Sequence, residues 1–232
     1  MFFLPKKFKT LPPNEFIERI LCTVPGMTSL SNIYLMDKAI ALLPENCAVL
    51  EIGSFCGQSA VILSHLLRKH NKKATVVCVD PFIFEGWQDR FHNAGNRISE
   101  FVGDHPTISR KEYLKFVEDS FHTNVSFFCQ EPKPVLYKME SDDFFYQWQK
   151  GNIPELKNMK LGFSYIDGNH SKVAAINDAR NCLQQTVNGG WILMDDTNPK
   201  SKLGSADAGK EICQWKELEL ADQNPNLLFR KI

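Results

Sequence analysis

The chain has 232 residues, 43% hydrophobic and 23% charged, which suits a folded globular protein and excludes a disordered or fibrous one. That length makes one domain with additions, or two tight ones, and buries a sizeable core. Lys and Arg number 27 and so do Asp and Glu, so the net charge is zero, which argues against a nucleic-acid partner.

No apolar run approaches the roughly 20 residues that span a bilayer, so no membrane association is expected. The first residues, Met1-Phe2-Phe3-Leu4-Pro5-Lys6-Lys7, put the apolar side chains before the lysines, the reverse of a secretory signal. Seven cysteines are scattered, with no C-x-x-C pair. They read as reduced thiols in a cytoplasmic protein rather than as a disulfide frame or a zinc site. The six histidines form no metal-binding tract.

Residues 1–13 are basic, proline-containing and irregular, and read as an arm. Asn14 can cap a helix over Glu15–Cys22 with acidic residues in its first turn. Ser31 or Asn32 can cap a second helix through Leu35, Ala39, Leu42 and Leu43, stopped by Pro44. Ala48–Ile52 is a short apolar run ended by Gly53, a buried strand. Ser59–Lys69 follows as an amphipathic helix and Ala74–Val79 as a second buried strand. Strand, glycine turn, helix and strand make a β-α-β unit and a parallel sheet. Residues 81–134 are aromatic-rich at first (Phe82, Phe84, Trp87, Phe91), then helical around Lys111–Phe121. Val125–Cys129 fits either a strand or the end of that helix. Val135–Met139 reads as the third strand, and Ser141 as the cap of a helix through Phe144, Phe145 and Trp148.

Leu161–Ile166 is the fourth strand. A helix from Val173 to Gln185 follows, with Asn188-Gly189-Gly190 as its glycine stop. Trp191–Met194 is the fifth strand, Asp207–Ala221 a last helix, and Asn226–Ile232 a final strand. Alternating strands and helices give an α/β fold, a doubly wound and mostly parallel sheet with helices on both faces. Its parts are an N-terminal arm and helices over 1–45 and the main domain over 46–232, with 81–124 a lid insertion or plain packing. Ligands of such folds sit at the carboxyl ends of the strands, where two polar constellations fall.

The first is Glu51-Ile52-Gly53-Ser54-Phe55-Cys56-Gly57-Gln58-Ser59, with Asp80 at the end of the next strand. Glycines let backbone and ligand approach closely, and a carboxylate at Asp80 can accept both ribose hydroxyls. The spacing G-x-x-x-G is neither G-x-G-x-x-G nor a Walker loop, so a pyrophosphate cradle and a nicotinamide dehydrogenase are disfavoured. A nucleoside without phosphate, S-adenosylmethionine, fits instead. Glu51 inside an apolar strand supports this, because a buried carboxylate requires partners. Any strand-to-helix turn also favours glycine; Glu51 and Asp80 together tip the reading toward the cofactor.

The second joins Asp167-Gly168-Asn169-His170 after the fourth strand to Asp195-Asp196-Thr197 after the fifth. If these strands are neighbours, three carboxylates converge, repel, and favour a cation among them. Oxygen donors suit a hard ion such as Mg²⁺. His170 can enter the same mouth and, as neutral imidazole, remove a hydroxyl proton. The plain alternative is a turn and helix cap at Asp-Asp-Thr with a loop histidine.

Val49–Ser59, Val79–Phe82 and Phe163–Thr197 resemble class I S-adenosylmethionine-dependent methyltransferases. Within these the chain resembles the macrocin/mycinamicin-type sugar O-methyltransferases, through Ile166-Asp167-Gly168-Asn169-His170 and Gly189-Gly190-Trp191-Ile192-Leu193-Met194-Asp195-Asp196. The resemblance implies that Asp167, Asp195 and Asp196 bind Mg²⁺ and that His170 is the catalytic base. It also implies that Glu51, Gly53, Ser54, Gly57, Ser59, Asp80 and Asp167 line the cofactor pocket, with Ser141 and Asp142 near the adenine. Asn169 stands where some members carry a basic aspartate. Only 36 residues follow Asp196, so a shortened C-terminal edge is expected. The implied acceptor is a hydroxyl of a small molecule: a sugar, a glycoside or a phenol. A homo-oligomer is left open. A non-catalytic S-adenosylmethionine sensor or scaffold, and a hydroxylase-like or decarboxylating relative, remain the alternatives.

Overall fold

The structure is a computed structural model that describes residues 8–83, 107–130 and 132–232. Most of the expected lid, residues 84–106, lies outside the described residues.

Asn14 caps α1 (Glu15–Thr23) by accepting from the Ile17 N–H. Ser29, not Ser31 or Asn32, caps α2 (Leu30–Ala41): its extended backbone presents Oγ to the Asn32 N–H at 3.1 Å. Ser31 and Asn32 fall inside the first turn, and the Asn32 side chain is wholly buried. β1 (Ala48–Ile52), α3 (Gln58–Lys69) and β2 (Val76–Val79) form the expected β-α-β unit, with β1 and β2 parallel. Val125–Phe128 is the end of helix α4 (Arg110–Phe128), whose capping box is Ser109 with Glu112. β3 is Val135–Tyr137 and α5 is Ser141–Gln149. Glu140 stands at the cap position of α5, so Ser141 is its first residue rather than its cap.

β4 (Leu161–Ile166) is buried throughout. Helix α6 (Lys172–Gln185) gives way directly to β5 (Thr186–Met194), so Asn188-Gly189-Gly190 does not end the helix. Those residues lie in an irregularity of β5, where the register with β4 jumps from Leu161↔Thr186 to Phe163↔Trp191 and Gly189 takes φ +81°. The terminal carbonyls of α6 have another partner: Lys231 Nζ donates to Leu183 O at 2.9 Å and Thr186 O at 2.8 Å.

The last helix, α7, covers only Gly204–Ile212. Leu218–Gln223 is strand β6, which pairs with β7 (Leu227–Lys231) as an antiparallel hairpin. The C-terminal edge is therefore not shortened: a short helix leaves enough chain for both strands. The sheet runs β3-β2-β1-β4-β5-β7-β6, with the first five strands parallel and β7 antiparallel between β5 and β6.

Strand alternation sorts side chains into two cores. Val49, Cys78, Phe163, Tyr165 and Leu193 face the core shared with α1–α4. Leu50, Val77, Val79, Ile166 and Ile192 face the other, shared with α5, α6 and α7. The chain builds outward from β1 to β3, then crosses back to lay β4 against the other side of β1. That reversal opens a crevice at the carboxyl tips of β1 and β4. All seven cysteines are free; five are buried, and Cys22 and Cys213 are exposed. Among the described residues no helix is long and apolar enough to cross a membrane.

Candidate active site

The crevice is a cavity of about 490 Å³, within the range of small-molecule sites. Its floor is the tip of β1. Gly53 has φ +85°, and a Cβ there would lie 2.0 Å from Asp167 O, so only glycine lets the tips of β1 and β4 close on each other. The ladder continues past both strand ends, through Gly53 N–H to Val79 O and Asp167 N–H to Ile52 O. Gly53, Ser54, Ser59, Asp80, Ser141, Asp142, Asp167 and His170 all line the cavity.

Two residues expected in the pocket do not line it. Glu51 is fully buried beneath the loop. Burial pushes its pKa up, against the opposing pull of Ser59, Ser54 and Cys78. Gly57 is turned toward α4: it has φ +84°, and a Cβ would meet the Phe121 ring at 3.1 Å. It serves the turn into α3 and the packing of α4.

Asp80 grips the loop. Its Oδ2 accepts from the Ser54 and Phe55 N–H groups, both at 2.9 Å, and its Oδ1 from the Phe82 N–H at 2.8 Å. Oδ1 keeps lone-pair capacity for a ligand hydroxyl. Ser54 lines the cavity, with its buried hydroxyl between that space and Glu51. Ser141 donates to Asp178 Oδ1 at 2.5 Å, while Asn181 donates to Asp142 at 3.1 Å. Asp178, on the wall contributed by α6, is pushed up to about 6 by burial, with Asp142 and Glu140 adding repulsion and Ser141 opposing.

At the mouth, ligand atoms of Asp167, His170 and Asp196 lie within 4.8 Å of one another. His170 Nε2 is 3.6 Å from Asp167 Oδ1 and 3.3 Å from Asp196 Oδ2. Burial, then the neighbouring Asp195, holds the Asp167 carboxyl well above its ordinary pKa. Asp195 is adjacent but differently engaged. Its Oδ2 accepts from Tyr165 Oη at 2.8 Å, and its Oδ1 from the Asp196 N–H at 2.7 Å and from Asn226 Nδ2. Of the three aspartates, Asp167 and Asp196 meet at His170, and Asp195 stands behind them. Asp167 and Asp196 offer the carboxylate oxygens that a hard divalent cation takes, so these two residues fit the ion that the resemblance implies, with His170 beside them.

Sequence reading missed four contributors. Gln58 straps the α1–α2 loop to α3, donating to Val24 O at 2.6 Å and accepting from the Thr28 N–H at 3.2 Å. Gly26, Met27 and Thr28 thereby form a wall. Ser205 ties the two acidic loops together, its N–H donating to His170 O at 3.0 Å and its Oγ to Asp196 O at 3.1 Å. Tyr165 and Asp178 complete the set. Only a polar residue at a buried strand or helix position could have flagged these last two.

Residues 50–197 match the model of the methyltransferase domain family. No curated protein matches the chain. Among solved structures it is similar to CalS11, a TDP-rhamnose 3'-O-methyltransferase of calicheamicin biosynthesis, with TM-score 0.56 and 14% identity over 95% of this chain and 97% of that one. It is similar to TomG of Streptomyces achromogenes in complex with SAM, with TM-score 0.53 and 10% identity over 94% and 89%. The O-methyltransferase NovP gives TM-score 0.51 and 16% identity over 89% and 83%. At these identities the likenesses speak for the fold. The family match spans well over half of the chain, and the protein belongs to the methyltransferase domain family, as a class I S-adenosylmethionine-dependent methyltransferase.

Proposed function

We propose that the protein methylates a hydroxyl oxygen of a small molecule, with a hard divalent cation at Asp167 and Asp196 and His170 as general base. The observation that carries this is the meeting of Asp167, His170 and Asp196 within 4.8 Å, on the rim of the cavity that begins at Gly53 and Asp80. Carboxyl groups of Asp80, Glu140, Asp142, Asp143, Asp167 and Asp178 lie along that cavity. Such a field suits a cationic ligand, and the cofactor is a sulfonium. The motif Ile166–His170, resembling the macrocin/mycinamicin-type branch, and the printed activities of CalS11 and NovP support oxygen as the acceptor atom.

When bound, S-adenosylmethionine supplies an electrophilic methyl group, and a hard cation makes a hydroxyl more acidic. The chain's own residues do the rest. Asp80 and the Gly53 loop seat the nucleoside, and Asp167 and Asp196 present oxygen to the cation. His170 Nε2 takes the hydroxyl proton, and its two carboxylate neighbours stabilise the imidazolium that forms. Holding acceptor and donor in line supplies much of the rate.

Asp167→Asn and Asp196→Ala are expected to abolish turnover while S-adenosylhomocysteine still raises the melting temperature. Full activity of both variants with chelator present would refute the metal. His170→Ala is expected to lower turnover about 10²–10⁴-fold. The geometry also admits a second reading, His170 as a cation ligand. In that case His170→Ala weakens Mn²⁺ binding as well; for a base alone, Mn²⁺ affinity stays.

A further inference from the structure

Behind the acidic mouth lies a buried polar network that the proposed chemistry does not use. Tyr165 sits on β4 two residues before Asp167 and is completely buried. Its Oη is 2.9 Å from Asp167 Oδ2 and 2.8 Å from Asp195 Oδ2, and it accepts from Asn32 Nδ2 at 3.3 Å. Asn226, in the β6–β7 turn, donates to Asn32 Oδ1 at 2.9 Å and to Asp195 Oδ1. Its own Oδ1 accepts from the Asn198 N–H at 3.1 Å. Asp195 Oδ1 in turn receives the N–H of Asp196, a residue held at φ +51°, where a non-glycine residue needs local support.

Five segments of chain, α2, β4, the turn after β5, the loop beyond it and the β6–β7 turn, therefore meet on one phenol and one amide. A buried polar group without partners is costly, so this network holds its members in one arrangement. It acts on both candidate ligands: Tyr165 fixes one oxygen of Asp167 and leaves Oδ1 facing His170, while Asp195 fixes the backbone that carries Asp196. The phenol has a single proton for two carboxylate oxygens. Tyr165 Oη is thus shared between Asp167 and Asp195 and holds both at hydrogen-bond distance from one atom.

We propose that Tyr165, backed by Asn32 and Asn226, is the positioning residue of the cation site. It sets the placement of Asp167 and, through Asp195, of Asp196, without touching cofactor or acceptor. This rests on the reading of Asp167 and Asp196 as cation ligands. Such outer partners typically carry 10–100-fold in metal affinity.

The test is Mn²⁺ binding to the full chain, by calorimetry and by the loss of free-ion paramagnetic signal. Wild type is compared with Tyr165→Phe, Asn226→Ala and a control, Ser164→Ala. Ser164 is equally buried on β4, next to Tyr165, and its hydroxyl lies beside Cys182, away from the network. Tyr165→Phe and Asn226→Ala should each weaken Mn²⁺ about 10–100-fold. S-adenosylhomocysteine affinity should stay within about threefold of wild type, and Ser164→Ala should leave Mn²⁺ binding unchanged. Wild-type Mn²⁺ affinity in both network variants overturns the positioning role and leaves the cation site standing. Equal losses of Mn²⁺ and S-adenosylhomocysteine, or an equal loss in Ser164→Ala, overturn it as mere destabilisation of β4. Failure of the wild-type chain to bind Mn²⁺ removes the cation reading, and this proposal with it. If Tyr165→Phe does not fold, Asn226→Ala decides.

Discussion

Asp178 is the residue whose chemistry is most sharply defined by its surroundings. It is 3% exposed, accepts from Ser141, and holds its proton up to about pH 6. In the unfolded chain an aspartate ionises near 3.9. Between those values the folded state binds more protons than the unfolded state. Stability is then full below about pH 4 and falls as pH rises toward 6, by on the order of 2–3 kcal/mol from this group alone. Asp178→Asn keeps an acceptor for Ser141 and removes the buried charge. The variant should be more stable than wild type at pH 7.5, and the gap should close by pH 4 in urea unfolding at the two pH values. A wild type that gains stability from pH 4 to 7.5 relative to the variant would contradict the assignment. Sequence reading named Ser141 and not its partner, because an aspartate in mid-helix looks solvent-exposed until α5 is laid against α6.

At the scale of elements, the tip of α7 locks the histidine loop in place. Ser205 bonds both acidic loops, and a Cβ on Gly204 would lie 2.4 Å from Lys172 N and 2.9 Å from His170 O. Gly204→Ala should therefore shift the His170 loop. Turnover is expected to fall at least about tenfold, the scale of a misplaced catalytic group, while S-adenosylhomocysteine binding holds. Unchanged turnover would mean that the loop keeps its geometry without α7. The strands that build the site were legible in their apolar runs, and so were the polar residues at their ends. The helix ends were less so. Gly189-Gly190 looks like a helix stop, but the cap of α6 comes from Lys231, 46 positions beyond Gln185. Leu218–Ala221 reads as more helix because its exposed face is polar, and only pairing with β7 makes it part of a strand. The position of Asp195 was equally hidden: adjacency in sequence put it beside Asp196, whereas Tyr165 and Asn226 draw it inward.

For the whole molecule, the cavity binds together parts that are far apart in the chain: the α1–α2 loop, the tips of β1, β2 and β4, the start of α5 and the side of α6. A ligand filling it should stabilise the fold as a unit. S-adenosylmethionine or S-adenosylhomocysteine at about 100 times its dissociation constant should add roughly 2.7 kcal/mol, a rise in Tm of about 5–10 °C. NAD at the same concentration should add nothing, because the loop offers no pyrophosphate cradle. A shift with NAD instead would reassign the nucleoside pocket.

The strap made by Gln58 has a practical corollary. The stretch shared with the family, 50–197, contains Gln58 but neither Val24 nor Thr28, the two groups it ties down. It also stops short of β6 and β7. A fragment trimmed to those limits would bare the apolar sides of β5 and α3, leave one flank of the cavity open, and leave Asp195 without Asn226. Biochemical dissection of this enzyme should therefore proceed by point substitution in the intact chain rather than by excising its most recognisable stretch.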